Sequence, residues 1–169
     1  RLVNPTAPII SIKNLSHPLS HSLAPDLKEL GVMAPTSPLH FSLFGNGIDS
    51  MVVTSGNPQG YTLPKSLEEI RFSLGSDIDF IVDHEREIVH AIDDSVLRGE
   101  LILRKARGLT PSTHQYRSEP STSKKTSQEK GYSLALGADL KNAMAIQIDN
   151  DFVEFPYCGD LNNREILET

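Results

Sequence analysis

A chain of 169 residues, of which 38% are hydrophobic and 22% charged, can bury one ordinary core and has the composition of a globular protein. The formal charge of −6 excludes a general electrostatic attraction to nucleic acid, although a local basic stripe stays open. The single cysteine, Cys158, excludes an internal disulfide framework and indicates a reducing compartment. No apolar run approaches the roughly 18 residues that span a bilayer, and no signal segment opens the chain. We therefore expect a cytoplasmic protein with no membrane contact.

Residues 1–109 alternate short apolar runs with helical patterns, which predicts an α/β layer. Ser66 stands at a capping position ahead of one helix, and Gly31, Gly45 and Gly75 stand where helices are expected to end. The predicted strands are Ile9–Ile12, Ser50–Thr54, Asp79–Val82, Glu87–Ile92 and Glu100–Arg104, and the predicted helices are Ala24–Leu30, Pro38–Phe44 and Lys65–Leu74.

The pattern changes at residues 110–131, which are rich in Pro, Ser, Thr, Lys and Gln and are interpreted as a linker. Three further strands are predicted beyond it, and Asp149-Asn150-Asp151 is favourable hairpin chemistry between the last two. These strands are Tyr132–Leu136, Ala143–Ile148 and Phe152–Phe155, and a closing helix is predicted to start after Asp160 or Asn162.

Small polar residues follow the apolar run Met51-Val52-Val53. In a nucleotide site the Ser55 hydroxyl and the Asn57 amide would hold phosphate or adenine edges, and Gly56 would allow close backbone approach. The same residues are also ordinary turn chemistry, and the sequence alone leaves both interpretations open.

A second polar run, Asp93-Asp94-Ser95, could hold a cation or a ribose, or could be a solvated strand end. It is followed by the strongest cationic cluster in the chain, which suits phosphate or carboxylate groups but is equally compatible with a solvated basic edge strand. The cluster consists of Arg98, Arg104, Lys105 and Arg107.

The histidines and the cysteine predict no metal site and no nucleophile. His17 and His21 are separated by Pro18, which disfavours a regular helix, and the spacing of His84 and His90 matches no ligand pattern. Cys158 has no nearby base in the sequence and is interpreted as a small buried residue. We expect no hydrolase triad and no GxxxxGK[ST] loop chemistry.

Taken in chain order, these loops resemble the second half of the YrdC-like domain of the HypF family, the carbamoyltransferases of nickel–iron hydrogenase maturation. After the linker, Leu136-Gly137-Ala138-Asp139-Leu140-Lys141-Asn142 and Cys158-Gly159-Asp160-Leu161 resemble the start of that family's next domain, which has an actin-like ATPase fold. The segments that resemble the YrdC-like domain are Pro18-Leu19-Ser20, Leu23-Ala24-Pro25, Leu30-Gly31-Val32-Met33, Thr36-Ser37-Pro38-Leu39-His40, Thr54-Ser55-Gly56-Asn57, Asp93-Asp94-Ser95-Val96 and Leu103-Arg104-Lys105-Ala106-Arg107-Gly108.

The resemblance implies a fold and a division into domains. The fold is α/β, with a partial YrdC-like twisted sheet and helices in residues 1–109, a linker in 110–131, and the first strands of an actin-like ATPase domain in 132–169. It also implies a reaction in which carbamoyl phosphate and ATP, with magnesium, give a carbamoyl-adenylate, and the next domain passes the carbamoyl group to the C-terminal cysteine of HypE. By resemblance, the nucleotide and phosphate contacts are Ser55, Asn57, Ser95, Arg104, Gly137, Asp139, Lys141 and Asn142.

The chain also departs from the family pattern. The earlier half of the YrdC-like domain, its basic motif, and the family's zinc and histidine metal ligands are absent from this sequence. Val96–Glu100 is shorter than the family's hairpin, and Cys158 stands where the family has histidine. We therefore expect the isolated chain not to be a competent carbamoyltransferase. The alternatives are a threonylcarbamoyl-AMP synthase of tRNA modification, and a non-catalytic remnant that binds a nucleotide or RNA.

Overall fold

The computed structural model describes residues 6–13, 23–58, 61, 63–115, 132–138 and 142–156. It divides the chain into two compact units, one formed by Arg1–Thr54 with Asp93–Leu109 and the other by Ser55–Ile92 with Thr110–Thr169. Each unit contains a four-stranded sheet, and short helices accompany the sheets, so the predicted α/β class is confirmed. Among the described residues, no helix has the length and apolar character needed to cross a bilayer.

The sheet of the first unit combines parallel and antiparallel pairs. Its strands are β1 (Ile9–Lys13), β2 (Glu29–Val32), β3 (Val96–Arg98) and β4 (Leu101–Arg104), in the spatial order β2-β1-β3-β4. The central strand β1 is antiparallel to β2 and parallel to β3, while β3 and β4 form an antiparallel hairpin. The predictions of β1 and β4 are confirmed.

The β3–β4 hairpin closes with a two-residue turn, Gly99-Glu100. Gly99 has a φ of 58°, and a positive φ with glycine at the first turn position is what a type II′ turn requires. The register shifts between Val96 and Leu97, so Val96 pairs with Arg104 while Leu97 pairs with Ile102. This irregularity brings the end of β4 beside the start of β3, where the polar runs of the sequence meet.

Both described helices begin at a serine cap, which the sequence predicts for Ser66. Helix α1 (Pro38–Ser42) lies in the first unit, and its Ser37 hydroxyl accepts a hydrogen bond from the His40 backbone N–H at 3.2 Å. Helix α2 (Leu67–Leu74) lies in the second unit, and the Ser66 hydroxyl accepts from Glu69 N–H at 3.2 Å. These caps satisfy N–H groups that the first helical turn leaves unpaired. Gly75 ends α2, as expected.

The predicted helix Ala24–Leu30 is wrong. Glu29 and Leu30 belong to β2, where they pair with Lys13 and Ile12 of β1. Gly31 is therefore a strand residue rather than a helix end, and a Cβ at this position would lie 3.0 Å from the Ile9 Cγ2 atom. Pairing with a neighbouring strand has overridden the local helical preference, which is a weak determinant by itself.

Three predicted strands are also wrong, because Ser50–Thr54, Asp79–Val82 and Glu87–Ile92 are irregular. Most of their apolar side chains are exposed: Val52 and Val82 are each 71% exposed, and Phe80 is 90% exposed. A β-forming sequence becomes a strand through packing and pairing with a neighbour, and among the described residues these segments have no paired strand.

The sheet of the second unit is entirely antiparallel. Its strands are β5 (Ser112–Gln115), β6 (Tyr132–Leu136), β7 (Met144–Ile148) and β8 (Asp151–Glu154), in the order β5-β8-β7-β6. The predictions of β6, β7, β8 and their hairpin are confirmed. Strand β5 was not predicted and lies in the segment interpreted as a linker. The predicted helix after Asp160 or Asn162 lies outside the described residues.

Candidate functional site

The two polar runs of the first unit meet at the end of its sheet. We call the facing segments Asp93–Ser95 and Arg104–Arg107 the junction. Their backbones are linked directly, because Arg107 N–H donates to the Asp93 carbonyl at 3.0 Å and Asp94 forms an isolated parallel bridge with Arg107. The junction is also joined to β1, since Ile9 N–H donates to the Ser95 carbonyl at 2.8 Å.

Ser95 is the buried centre of the junction. Its side chain is 0% exposed, and its hydroxyl accepts from Ala106 N–H at 2.8 Å and donates to the Arg107 carbonyl at 3.0 Å. Ala106 is likewise 0% exposed. A buried hydroxyl with both kinds of partner avoids the free-energy cost of an unpaired polar group. In this conformation the Ser95 hydroxyl is used inside the protein, so a phosphate contact by it would require the junction to open.

The two arginines of the junction are held by its two aspartates. Arg104 Nε donates to the Asp94 carbonyl at 2.8 Å, and its Nη1 lies 3.5 Å from Asp93 Oδ1. Arg107 contacts Asp94 Oδ1 through Nε and Nη2, each at 2.6 Å, and its Nη2 also donates to the Ala7 carbonyl at 3.3 Å. Arg107 thus has a tight internal ion pair, whereas the carboxylate contact of Arg104 is long.

Arg98, another predicted member of the cationic cluster, belongs to a separate network across three strands. Glu29 Oε2 on β2 accepts from the Ser11 hydroxyl of β1 at 2.5 Å and from Arg98 Nε of β3 at 2.7 Å. The Ser11 hydrogen bond, assisted by Arg98 and opposed by desolvation, lowers the pKa of Glu29. The cationic cluster of the sequence is therefore divided between two sets of carboxylates.

The segment Ser55–Asn57 lies in the second unit and is much more open. Ser55 and Gly56 are exposed, and Asn57 donates through Nδ2 to the Tyr61 carbonyl at 2.6 Å. Asn57 Oδ1 is buried, and it has no hydrogen-bond partner among the described residues. Gly56 lines an apolar cavity of about 430 Å³, together with Leu63, Ile70, Leu74, Ile88 and Ile92. Asn57 is not among the residues that line this cavity, so a ligand with an N–H donor would reach Oδ1 only after a local rearrangement.

The loop between β6 and β7 is closed by Asn142, which is 8% exposed. Its Nδ2 donates to the carbonyls of Gly137 and Ala138, both at 2.9 Å, and Gly137 N–H donates to the Ala143 carbonyl at 2.7 Å. The structure therefore brings together Gly137 and Asn142, two of the four residues predicted for this phosphate loop. The other two, Asp139 and Lys141, lie outside the described residues, as do His17, His21 and Cys158.

The predicted contacts fall into separate groups. Ser95 and Arg104 meet in the first unit, while Ser55 with Asn57 and Gly137 with Asn142 belong to the second. Within the described ranges, no group of three or more His, Cys, Asp or Glu side chains could hold a metal ion. Sequence reasoning missed the ion pair of Asp94 with Arg107 as a specific contact. The paired aspartates and paired arginines were a signal for it, whereas nothing in the sequence indicated that Glu29 would pair with Arg98.

Two family models match the chain in succession. The telomere recombination model of the Sua5, YciO and YrdC proteins matches residues 3–106, and the model of the HypF Kae1-like domain matches residues 128–169. The first match ends within the junction, and the second includes β6, β7 and β8.

Curated relatives extend this similarity. Carbamoyltransferase HypF of Rhodobacter capsulatus is 39% identical over 114 residues, which cover 66% of this chain and 15% of the relative. Carbamoyltransferase HypF of the Synechocystis strain ATCC 27184 is 34% identical over 167 residues, covering 96% of this chain and 21% of the relative. The chain thus spans about a fifth of the length of such relatives.

Solved structures resemble the whole chain. A crystal structure of full-length HypF in the phosphate- and nucleotide-bound form has a TM-score of 0.83 and 31% identity, covering 99% of this chain and 26% of that one. The crystal structure of T. kodakarensis HypF has a TM-score of 0.82 and 30% identity, covering 99% of this chain and 21% of that one. The predicted combination of a partial YrdC-like sheet with the start of the following domain is therefore confirmed.

Proposed function

Since this chain belongs to the HypF family, we propose that it is part of an ATP-dependent carbamoyltransferase. The observation that carries the proposal is the order of the two family matches, YrdC-like first and HypF Kae1-like second, within one chain whose fold follows HypF over 99% of its length. A threonylcarbamoyl-AMP synthase is disfavoured, because the resemblance that suggested it concerns only the YrdC-like part.

The proposed reaction begins with carbamoyl phosphate and ATP. Formation of a carbamoyl-adenylate consumes one water and releases inorganic phosphate and pyrophosphate. Arg104 is the junction side chain best suited to a nucleotide phosphate, because its carboxylate contact is 3.5 Å long while Arg107 is held at 2.6 Å. A phosphate would replace the weak Asp93 contact and could leave the bond from Nε to the Asp94 carbonyl intact.

In the second unit, Asn57 would accept a hydrogen bond from the nucleotide through Oδ1, with Ser55 as an exposed hydroxyl beside it. A purine offers such a donor in its exocyclic amine. The proposal is supported by the unpartnered state of this acceptor among the described residues, and it requires Oδ1, which is buried here, to become accessible when the nucleotide binds. Gly137, Asp139, Lys141 and Asn142 are the proposed phosphate loop of the following domain.

The remaining parts of the proposed reaction involve a partner protein and a metal ion. The following domain would transfer the carbamoyl group to the C-terminal cysteine of HypE, in the cytoplasm. A magnesium ion would depend mainly on ATP phosphates for its ligands, since among the described residues no cluster of three suitable side chains exists. We propose that residues 1–109 are the YrdC-like portion and that 132–169 begin the following domain; of the segment between them, Ser112–Gln115 forms strand β5 of the second sheet.

The test is carbamoyl transfer by the protein isolated from its own cells, together with its intact mass. With carbamoyl phosphate, ATP and HypE present, we expect release of pyrophosphate and a carbamoylated HypE cysteine, detected by mass spectrometry, from a protein several-fold heavier than 18.6 kDa. The purified chain of 169 residues should give no sustained turnover. A protein of 18.6 kDa that binds ATP without turnover would instead support the binding remnant.

A further inference from the structure

We infer that Ser95 is a positioning residue, which acts on the nucleotide by holding Arg104 rather than by touching phosphate. The resemblance predicts Ser95 as a phosphate contact. Its side chain is 0% exposed, and both hydrogen-bonding functions of the hydroxyl are engaged with the backbone of residues 106 and 107. Because a phosphate oxygen accepts, a direct contact would require the hydroxyl to give up its bond to the Arg107 carbonyl and to become exposed, whereas an indirect role uses the arrangement as it stands.

The connection from Ser95 to Arg104 is short and fully described. Arg104 Nε donates to the carbonyl of Asp94, the residue immediately before Ser95. The Ser95 hydroxyl, in turn, binds Ala106 N–H, two residues after Arg104. The Ser95 hydroxyl is therefore one of the contacts that set the distance between the carbonyl that orients the guanidinium and the backbone that carries it. Removing the hydroxyl loosens the packing of these two backbone segments and lets the Arg104 side chain adopt other rotamers.

The junction should survive this change. The Arg107 N–H bond to the Asp93 carbonyl and the ion pair of Arg107 with Asp94 do not involve the Ser95 side chain. Because Ser95→Ala removes both hydrogen bonds of a fully buried hydroxyl, it should also lower the free energy of unfolding, so the stability of each variant is measured beside its ATP affinity. Ser95→Cys, which keeps a weak donor and a weak acceptor at this position, serves as a second variant. Ser73→Ala is the matched control, because the Ser73 hydroxyl donates to the Glu69 carbonyl on an exposed helix.

The first measurement is a double-mutant cycle for ATP binding by the full chain, using calorimetric titration with ATP and magnesium. This measurement rests on the proposed function, because it assumes that the chain binds ATP. We expect Ser95→Ala and Arg104→Ala each to weaken ATP binding by about tenfold, which corresponds to loss of one or two hydrogen bonds. The double variant should match Arg104→Ala alone, since a residue that acts through Arg104 has no effect without it. Independent losses that multiply to about a hundredfold, or an unchanged affinity in Ser95→Ala, would overturn the inference.

A second measurement does not depend on ATP. Hydrogen exchange of the Arg104 Nε–H, followed by NMR, should be slow in the parent chain and in Ser73→Ala, and several-fold faster in Ser95→Ala, with Ser95→Cys between them. Unchanged exchange in both Ser95 variants would overturn the positioning role. If the parent chain binds no ATP but Ser95→Ala accelerates this exchange, the proposed nucleotide function of the chain fails while the role of Ser95 in holding Arg104 stands.

Discussion

The junction and the segment Ser55–Asn57 look alike in sequence, as short polar residues after an apolar run, but they differ in structure. In the junction, Ser95 is 0% exposed and its hydroxyl has a donor and an acceptor. In the second segment, Ser55 and Gly56 are exposed, and the buried Oδ1 of Asn57 has no partner among the described residues. The same residue types thus support the fold in one place and leave hydrogen-bonding capacity unused in the other.

This difference indicates how substitutions in each region should affect stability and ligand binding. Where polar groups satisfy one another inside the protein, substitutions should reduce the free energy of unfolding. Where a polar group is left without a partner, substitutions should affect ligand binding more than stability. Comparing stability and ATP affinity across the two regions therefore tests whether the distinction is real.

The largest expected effect is on stability at Gly108, the residue that follows the junction. Gly108 has a φ of 82°, and a Cβ there would lie 2.7 Å from Thr6 Cβ and 2.8 Å from Thr6 Cα. Gly108→Ala should lower the free energy of unfolding by about 2–3 kcal/mol, combining backbone strain with the clash. Urea denaturation measures this change.

The matched control is Gly56→Ala, where no atom lies within 4 Å of the added Cβ and the backbone φ is not in the left-handed region. We expect its free energy of unfolding to stay within about 0.5 kcal/mol of the parent value. Equal losses at the two glycines would contradict the distinction between the regions.

A smaller loss of stability is expected at the ion pair of the junction. Arg107→Ala should cost about 1–2 kcal/mol, less than a fully buried pair, because the Arg107 and Asp94 side chains are 32% and 33% exposed. Arg86→Ala, which removes an exposed arginine, should change stability by less than about 0.5 kcal/mol. Combining Arg107→Ala with Asp94→Ala in a double-mutant cycle gives the coupling, and full additivity would show that the pair contributes nothing.

The sequence predicted those parts of the fold, such as helix caps and hairpin turns, that depend on residues close together in the chain. Ser66 caps α2, and Asp149, with a φ of 53°, allows the turn between β7 and β8. Strand β2 was mistaken for a helix because its state depends on pairing with β1, a neighbour 16 or more residues away in sequence at each paired position. Val52, 71% exposed, shows the opposite error, since a β-forming residue without a paired strand stays irregular.

The candidate site was predictable to a similar extent. Ser95 and Arg104 were singled out from sequence, and the structure places both in the junction. Which carboxylate binds which arginine was not predictable, because it depends on the parallel bridge between Asp94 and Arg107 and on the register shift in β3. The burial of Ser95 is a further product of tertiary packing.

The segment Ser55–Asn57 gives a prediction on ATP binding. Asn57→Ala and Ser55→Ala should weaken ATP affinity, with a loss of about 1 kcal/mol for Asn57, while the midpoint of thermal unfolding stays near the parent value. Removing Asn57 abolishes the bond to the Tyr61 carbonyl but also removes a buried acceptor without a partner, so the two effects on stability oppose each other. Unchanged ATP affinity in both variants would remove these residues from the nucleotide site.

The smallest expected effect is the pH dependence that Glu29 adds to the stability of the first unit. The Ser11 hydrogen bond and Arg98 lower the pKa of Glu29 in the folded protein below the ordinary value of a glutamate carboxyl. A group whose pKa is lower in the folded state stabilises the fold above the unfolded pKa, and this contribution disappears as the pH falls through the folded pKa. Stability should therefore decline in acid, below about pH 4.5, more steeply in the parent than in Glu29→Gln.

Three variants separate the causes of this acid dependence. Ser11→Ala should raise the pKa of Glu29 towards its ordinary value, because the Ser11 hydroxyl makes the largest contribution to the shift. NMR titration of the Glu29 carboxyl carbon follows this directly. Arg98→Ala should produce a smaller rise, and Glu87→Gln, at an exposed glutamate, should leave the Glu29 titration unchanged. A larger rise in Arg98→Ala than in Ser11→Ala would show that the ion pair, rather than the hydroxyl, controls this carboxylate.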